Sequence, residues 1–216
     1  MPVGAVPIRP AGATDPAVAP GTGSAEHRVV GSAEQVVVEA ALRCFARWGT
    51  TKTTLEDISR EAGCSRATVY RLFPGGKHAL VAAVAEHEVT GLFDVVTARL
   101  AAASSLEEML TGSVVAAATF LTGHDALAMI VRHEPEVVLP FVAFDRLDPI
   151  LSTTAELLGP LVERYCDPAT ARRLVEWGVR LVISYAFAPS PTITLTDHDD
   201  VARLVRTYVL PGIGVA

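Results

Sequence analysis

The sequence predicts an all-α chain, with a small three-helix N-terminal head on a larger C-terminal helical body. Three observations carry that reading. Apolar residues recur at helical spacing along almost the whole of residues 32–210, and no strand-length alternation competes with them. Alanine, valine and leucine abound while aromatics make up only 6% of the 216 residues, a composition suited to close helix packing. Glycines, prolines and capping residues divide the pattern into short helices before Lys77 and long ones after it. The boundaries expected are a disordered tail over 1–26, a head over 27–80 and a body over 81–216.

The tail holds Pro2, Pro7, Pro10, Pro16 and Pro20 among small residues and has almost no large apolar side chain to bury. A first helix is expected over about 32–48, where Val36, Val37, Ala40, Ala41, Cys44, Phe45 and Trp48 recur, and Gly49 stops it. Thr53 or Thr54 caps the second helix, with Glu56 and Asp57 near its positive end. Leu55, Ile58 and Ala62 form its apolar face, and Gly63 takes the left-handed conformation that ends it. Ser65 caps the third helix, which ends at Phe73-Pro74-Gly75-Gly76.

This is a helix-turn-helix pattern. Val69 and Leu72 turn inward, so at about 100° per residue Ala67, Tyr70 and Arg71 point outward, with Arg66 and Thr68 on the flanks. A guanidinium there offers two parallel donors to guanine O6 and N7, and Ala67 admits close approach or a thymine methyl. Thr54, Ser65, Tyr70 and Lys77 are expected on phosphates, fixing register rather than sequence. Lys52 and Lys77, the only two lysines of the chain, flank the motif.

The net charge of −6 is the wrong sign for a DNA binder, but it is unevenly spread. Residues 27–87 hold eight basic and six acidic side chains, a net of +2, whereas 88–216 hold nine and sixteen, a net of −7. The three cysteines, Cys44, Cys64 and Cys166, are odd in number and irregularly spaced, which excludes a zinc framework and fits a reducing cytoplasm. No apolar run reaches the ~18 residues of a membrane span, and no signal-peptide pattern opens the chain. A cytoplasmic protein that spans no membrane is expected. No glycine-rich phosphate loop, nucleophile–base pair or metal-ligand cluster is present, so neither an enzyme nor a cofactor or metal is expected.

Body helices are expected over 77–102, 105–122, 125–133, 135–144, 147–165, 168–187 and 198–210, with kinks or further breaks at Pro140 and Pro160. Asp167-Pro168 is a cap followed by proline at the first helical position, and 192–196 (TITLT) is a β-like run in a loop. The apolar stripes of 168–187 and 198–210 are broader than one core contact requires, which fits a four-helix interface between two copies.

Between Ala40 and Leu80 the chain resembles the tetracycline-repressor-like (TetR-type) transcriptional regulators. The resemblance rests on Ala41, Phe45 and Gly49, then Thr54, Ile58, Ala62-Gly63, Val69-Tyr70, Phe73, Lys77 and Leu80. It implies a homodimer joined through its last two long helices, two DNA-reading heads and a small-molecule pocket in the body. By position it implies that Thr54 and Lys77 bind phosphate and that Arg66, Ala67, Thr68, Tyr70 and Arg71 read DNA. Three departures stand out: Cys64 for an aliphatic residue, Ser59 for alanine, and an FPGGK loop one residue longer than usual.

The function expected is therefore a ligand-responsive repressor on a pseudo-palindromic double-stranded operator, released by a small apolar effector. Effector contacts are expected from Phe120, Met129, His133, Phe141, Phe144, Leu147, Leu151, Trp177 and Leu181, apolar side chains of the middle helices with one polar anchor. An activator, or a helical lipid- or drug-binding protein with a non-functional head, remains as an alternative.

Overall fold

The computed structural model describes residues 24–134, 136, 139 and 147–213. Among them there is no strand, and the chain divides into two compact units, Met1–Glu88 and Val89–Ala216.

In the first unit α1 spans Ser24–Lys52, α2 Leu55–Glu61 and α3 Arg66–Leu72, and α4 begins at Gly76. Most of the core is where the spacing puts it: Val37, Ala40, Ala41, Cys44 and Phe45 of α1, Leu55 and Ile58 of α2, Val69, Phe73 and Leu80 are buried, but Val36 and Trp48, at the edges of the α1 stripe, are exposed and Ala62 and Leu72 half-buried. Two boundaries of α1 differ from expectation. It starts at Ser24 rather than near residue 32, passing through Gly31, which a helix tolerates at a cost of about 1 kcal/mol. At the other end Gly49 does leave helical geometry (φ 78°, ψ 168°), but a last turn to Lys52 follows the kink. The Thr53 hydroxyl fastens that kink, donating to the Gly49 carbonyl at 2.7 Å.

Helix α4 runs Gly76–Ala102, so the division between units falls within it. The second unit adds α5 (Leu106–Gly123), α6 (Asp125–His133), α7 (Leu147–Val162), α8 (Pro168–Phe187) and α9 (His198–Leu204). Most of the expected helix over 135–144, Pro140 within it and most of the tail over 1–26 lie outside the described residues. Leu100, Met109, Leu110, Val114, Val162, Ala171, Leu174, Val201 and Val205 belong to one buried apolar cluster. Asp167 caps α8 as expected, accepting from Ala169 and Thr170 N–H at 3.0 Å. The Tyr165 hydroxyl ties the α7–α8 junction to the end of α4, donating to the Ala103 carbonyl at 2.6 Å.

Two body expectations need correction. Pro160 lies inside α7, in its last turn, where it removes one backbone donor and the helix ends two residues later. The 198–210 helix keeps α geometry only to Leu204; a π-turn follows over Val205–Val209, then a 3-10 turn over Leu210–Ile213 that includes Pro211. Part of its apolar stripe packs within the chain, and Leu204 is half-buried. Val201, Val205 and Val209 are buried in the unit's core, where α9 packs on α5, and Tyr208 at 74% exposure is left outside.

Candidate nucleic-acid interface

The site is built on two short helices, each capped by the residue before it. Thr54 and Asp57 form a reciprocal box: the Asp57 N–H donates to Thr54 Oγ1 at 3.2 Å, and the Thr54 N–H donates to Asp57 Oδ2 at 3.0 Å. The Thr54 hydroxyl also donates to that carboxylate at 2.6 Å, which holds the Asp57 carboxyl below its ordinary pKa. A hydroxyl has one proton. In this arrangement Thr54 spends it on Asp57 and offers no donor to a phosphate, so Thr54 serves α2 first.

Gly63 joins the helices at φ 66°, as the sequence requires. Ser65 then caps α3, its Oγ accepting from the Thr68 N–H at 3.1 Å. The Ser65 and Thr68 hydroxyls lie 2.9 Å apart, so one of their two protons serves that bond and the other is left to donate elsewhere. Of the seven residues of α3 only Val69 is buried; Arg66, Ala67, Tyr70 and Arg71 are exposed together on the outer side and Thr68 is half-buried. The helix contains no acid.

The cations differ in how they are held. The Arg66 guanidinium lies over the Tyr70 ring, 5.5 Å from its centroid, with Nη2 3.4 Å from the hydroxyl. That acceptor holds the Arg66 pKa above its ordinary value. Lys77 donates to the Thr51 carbonyl at 3.1 Å, leaving two of the three ammonium protons for a phosphate. Lys52 and Arg71 are exposed and in no ion pair among the described residues. Arg43, Arg47 and Arg60 are spoken for: the first two reach Glu61 at 2.7 and 3.2 Å, and Arg60 faces Asp57 at 3.6 Å and Glu56 at 3.9 Å.

This geometry can now be set beside known proteins. Residues 37–84 match the family described as bacterial regulatory proteins, tetR family. An uncharacterized HTH-type transcriptional regulator of Mycobacterium tuberculosis, Rv1255c, is 26% identical over 176 residues, covering 81% of this chain and 82% of its own. The same fold occurs in the TetR family repressor AlkX of a Dietzia species, implicated in biodegradation of n-alkanes (TM-score 0.60, 19% identity, 84% of this chain and 95% of that one). It occurs also in the fatty acid degradation regulator FadR of Bacillus halodurans (TM-score 0.56, 20% identity, 80% and 93%). The chain is a TetR-like transcriptional regulator. Its α3 faces outward within the matched segment, as the second helix of the helix-turn-helix pattern.

Two residues of this regulator's head have roles beyond those read from sequence, where Asp57 is placed only near a helix's positive end and Gly76 only in the turn after α3. Asp57 completes the α2 box; the Thr54-x-x-Asp57 spacing was the signal, with aspartate in place of the longer acid. Gly76 (φ 62°) flanks the Tyr70 ring, since a Cβ there would meet Tyr70 Cε1 at 3.5 Å and Leu55 Cδ1 at 3.7 Å.

The expected effector contacts within the described residues lie on α5, α6, α7 and α8. Phe120 packs on the His124 ring at 4.0 Å between centroids and beside Gly91, while Met129 is half-buried and Leu147 buried. Trp177 and Leu181 pack against the core and His133 is exposed. Phe141 and Phe144 lie outside the described residues. A groove of about 320 Å³ between α7 and α8 includes Leu151 of that set, but Asp148, Ser152, Arg172, Glu176 and Arg180 make it polar. Burial raises the Cys44 and Cys166 thiols above their ordinary pKa, which disfavours thiolate chemistry at either. No group of three metal-ligating side chains occurs among the described residues, and no helix there is long and apolar enough to cross a membrane.

Proposed function

We propose that this regulator is a repressor that binds a pseudo-palindromic operator as a homodimer and leaves it when a small apolar effector occupies the body. One observation carries the DNA half of the reading. The exposed side of α3 presents Arg66, Tyr70 and Arg71 with no acid in the helix, on a support fastened by two caps and three ion-paired arginines. Arg66 is assigned to a base edge. Arg71, Lys52, Lys77 and the remaining hydroxyl proton of the Ser65–Thr68 pair are assigned to phosphates. Thr54 acts as a cap.

A seven-residue reading helix supplies few contacts, and two heads on a two-fold axis make up for that by avidity. The last two long helices, α8 and the one that begins as α9, are the body surface proposed for the dimer, the latter keeping a half-buried Leu204 and an exposed Tyr208 beside its buried stripe. An apolar effector fits the half-buried Phe120, Met129, Trp177 and Leu181 better than a charged one. Release then requires only that the effector bind one conformation of the body more tightly than the other.

The test is selection of bound DNA from a random pool by the purified chain, beside an Arg66→Ala/Arg71→Ala variant. Enrichment of two related half-sites, lost in the variant, supports the reading. Recovery of nothing, or binding unchanged in the variant, refutes it and leaves a helical binding protein with a non-functional head. For the recovered site, Lys77→Met lowers the dependence of log K on log salt by about one unit if Lys77 neutralises a phosphate.

A further inference from the structure

The two exposed arginines of α3 are not equivalent, and the difference bears on how bases are chosen. Arg71 is exposed, and among the described residues it makes no hydrogen bond or ion pair. Arg66 is held four residues along the same helix by Tyr70, through the ring face at 5.5 Å and the hydroxyl at 3.4 Å from Nη2. The Tyr70 side is itself supported. Although 44% exposed, its ring edge lies where a Cβ on Gly76 would be in van der Waals contact. The Gly76 N–H is in turn anchored to the Phe73 carbonyl at 2.8 Å. The loop after α3 thus passes beside the ring without a side chain of its own at Gly76, and the ring sets where the hydroxyl sits.

A guanidinium carries five donors in a fixed plane. One N–H of Nη2 directed at the Tyr70 oxygen leaves the other and its neighbours facing away from the ring, with the plane's orientation already chosen. A free arginine surrenders several rotors when it docks on a base; one held in place has already done so, and its misfit to a wrong base cannot be relieved by swinging aside. A loose arginine such as Arg71 follows any phosphate within reach.

We propose that Tyr70 is a positioning residue for sequence selection. Its hydroxyl and ring fix the Arg66 guanidinium so that Arg66 reads one guanine-containing base pair in each half-site, while Arg71 supplies charge without selectivity. This rests on the operator-binding reading above and adds to it the residue that sharpens one position.

The experiment uses the full chain and the sequence that the wild type selects, with each base pair of the half-site replaced in turn, symmetrically, at one salt concentration. Dissociation constants are measured for wild type, Tyr70→Phe, Arg66→Lys, Arg66→Ala and the Arg66→Ala/Tyr70→Phe double variant. In Tyr70→Phe the preference at one G·C pair falls by at least about five-fold while preferences at the other positions stay as in the wild type. Arg66→Lys, which keeps charge but loses the fork, flattens the same position. Added to Arg66→Ala, Tyr70→Phe changes that preference no further.

A Tyr70→Phe variant that loses affinity equally on every sequence makes Tyr70 a phosphate ligand and overturns the inference. So does one whose preferences match the wild type, or one that flattens a position Arg66→Lys leaves sharp. A wild type that selects no sequence removes the operator-binding reading itself, a failure visible before any variant is made.

Discussion

The recognition helix stands or falls with Ser65. Helix α3 has seven residues and one buried side chain, so packing contributes little to holding it, and an isolated helix of that length has no stability of its own. Ser65 Oγ accepts the Thr68 N–H at 3.1 Å, and the same N–H also points at the Ser65 carbonyl at 3.0 Å. Removing the hydroxyl therefore weakens a shared bond rather than orphaning a donor, which places Ser65→Ala near the middle of the usual N-cap range, at about 1 kcal/mol. If α3 opens locally, the Val69 and Phe73 amides, bonded at 3.2 and 2.8 Å, exchange about five-fold faster, as 1 kcal/mol requires. Ser65→Gly costs a few tenths of a kcal/mol, and Ser65→Asp keeps wild-type protection because its carboxylate caps equally well and favours the helix's positive end. On DNA the order changes, since the Ser65→Asp carboxylate faces phosphates and that variant binds weakest. Hydrogen exchange resolved by residue, with operator affinity alongside, measures both. Protection in Ser65→Ala equal to the wild type, or Ser65→Asp exchanging as fast as Ser65→Ala, would refute the cap argument.

Glu61→Gln tests the α1–α2 clamp by pH. The Arg43 hydrogen bond holds the Glu61 carboxyl below its ordinary 4.5, so its contribution is complete above that pH and fades as pH falls through the lower folded value. Denaturant unfolding shows the variant less stable than wild type at about pH 7, with the gap closing below pH 4.5; a gap independent of pH would refute the assignment. Gly63→Ala meets open space but must adopt φ 66°, so it costs about 1–2 kcal/mol, read by Trp48 in the first unit. An unchanged midpoint shows that the turn relaxes. Tyr165→Phe leaves the buried Ala103 carbonyl without its 2.6 Å donor and costs about 1–3 kcal/mol in the second unit, followed through Trp177; a smaller loss means that water replaces the hydroxyl.

The head was legible because its determinants are local. Thr54, Gly63 and Ser65 act within four residues of themselves, and Leu55, Ile58 and Val69 needed only helical spacing to be placed inside. What escaped was pairing that depends on backbone geometry: the i,i+4 spacing of Arg66 and Tyr70 is written in the sequence, but the φ of Gly76 that seats the ring is not. The body was legible in its helices and not in their partners. Proline and glycine punctuate it, so α6 and α8 fall where expected. Apolar periodicity says that a face is buried without saying against what. Of the last helix, Val201, Val205 and Val209 lie on α5 while Leu204 is half-buried and Tyr208 exposed, a division that periodicity does not write. The effector contacts suffer the same ambiguity, since a leucine that touches ligand and a leucine that fills a core are the same letter.

Charge shows where a sum misleads and a placement informs. A net of +2 over 27–87 is slight for a surface that meets DNA, and the whole chain at −6 has the opposite sign. The acids of α2 are accounted for one by one: Asp57 within the capping box, Glu61 between Arg43 and Arg47, and Glu56 facing Arg60. Helix α3 contributes Arg66 and Arg71 and no acid, and Lys52 and Lys77 extend that character along the sequence on either side. A phosphate responds to charges within about a Debye length, near 8 Å in physiological salt, so an acid already neutralised on another helix subtracts little there. Substituting an engaged acid such as Glu61 raises the head's net charge yet weakens the support on which α3 is mounted. Net charge alone would have ranked that change as a gain in DNA binding; the pairing of Glu61 with Arg43 and Arg47 makes it a loss.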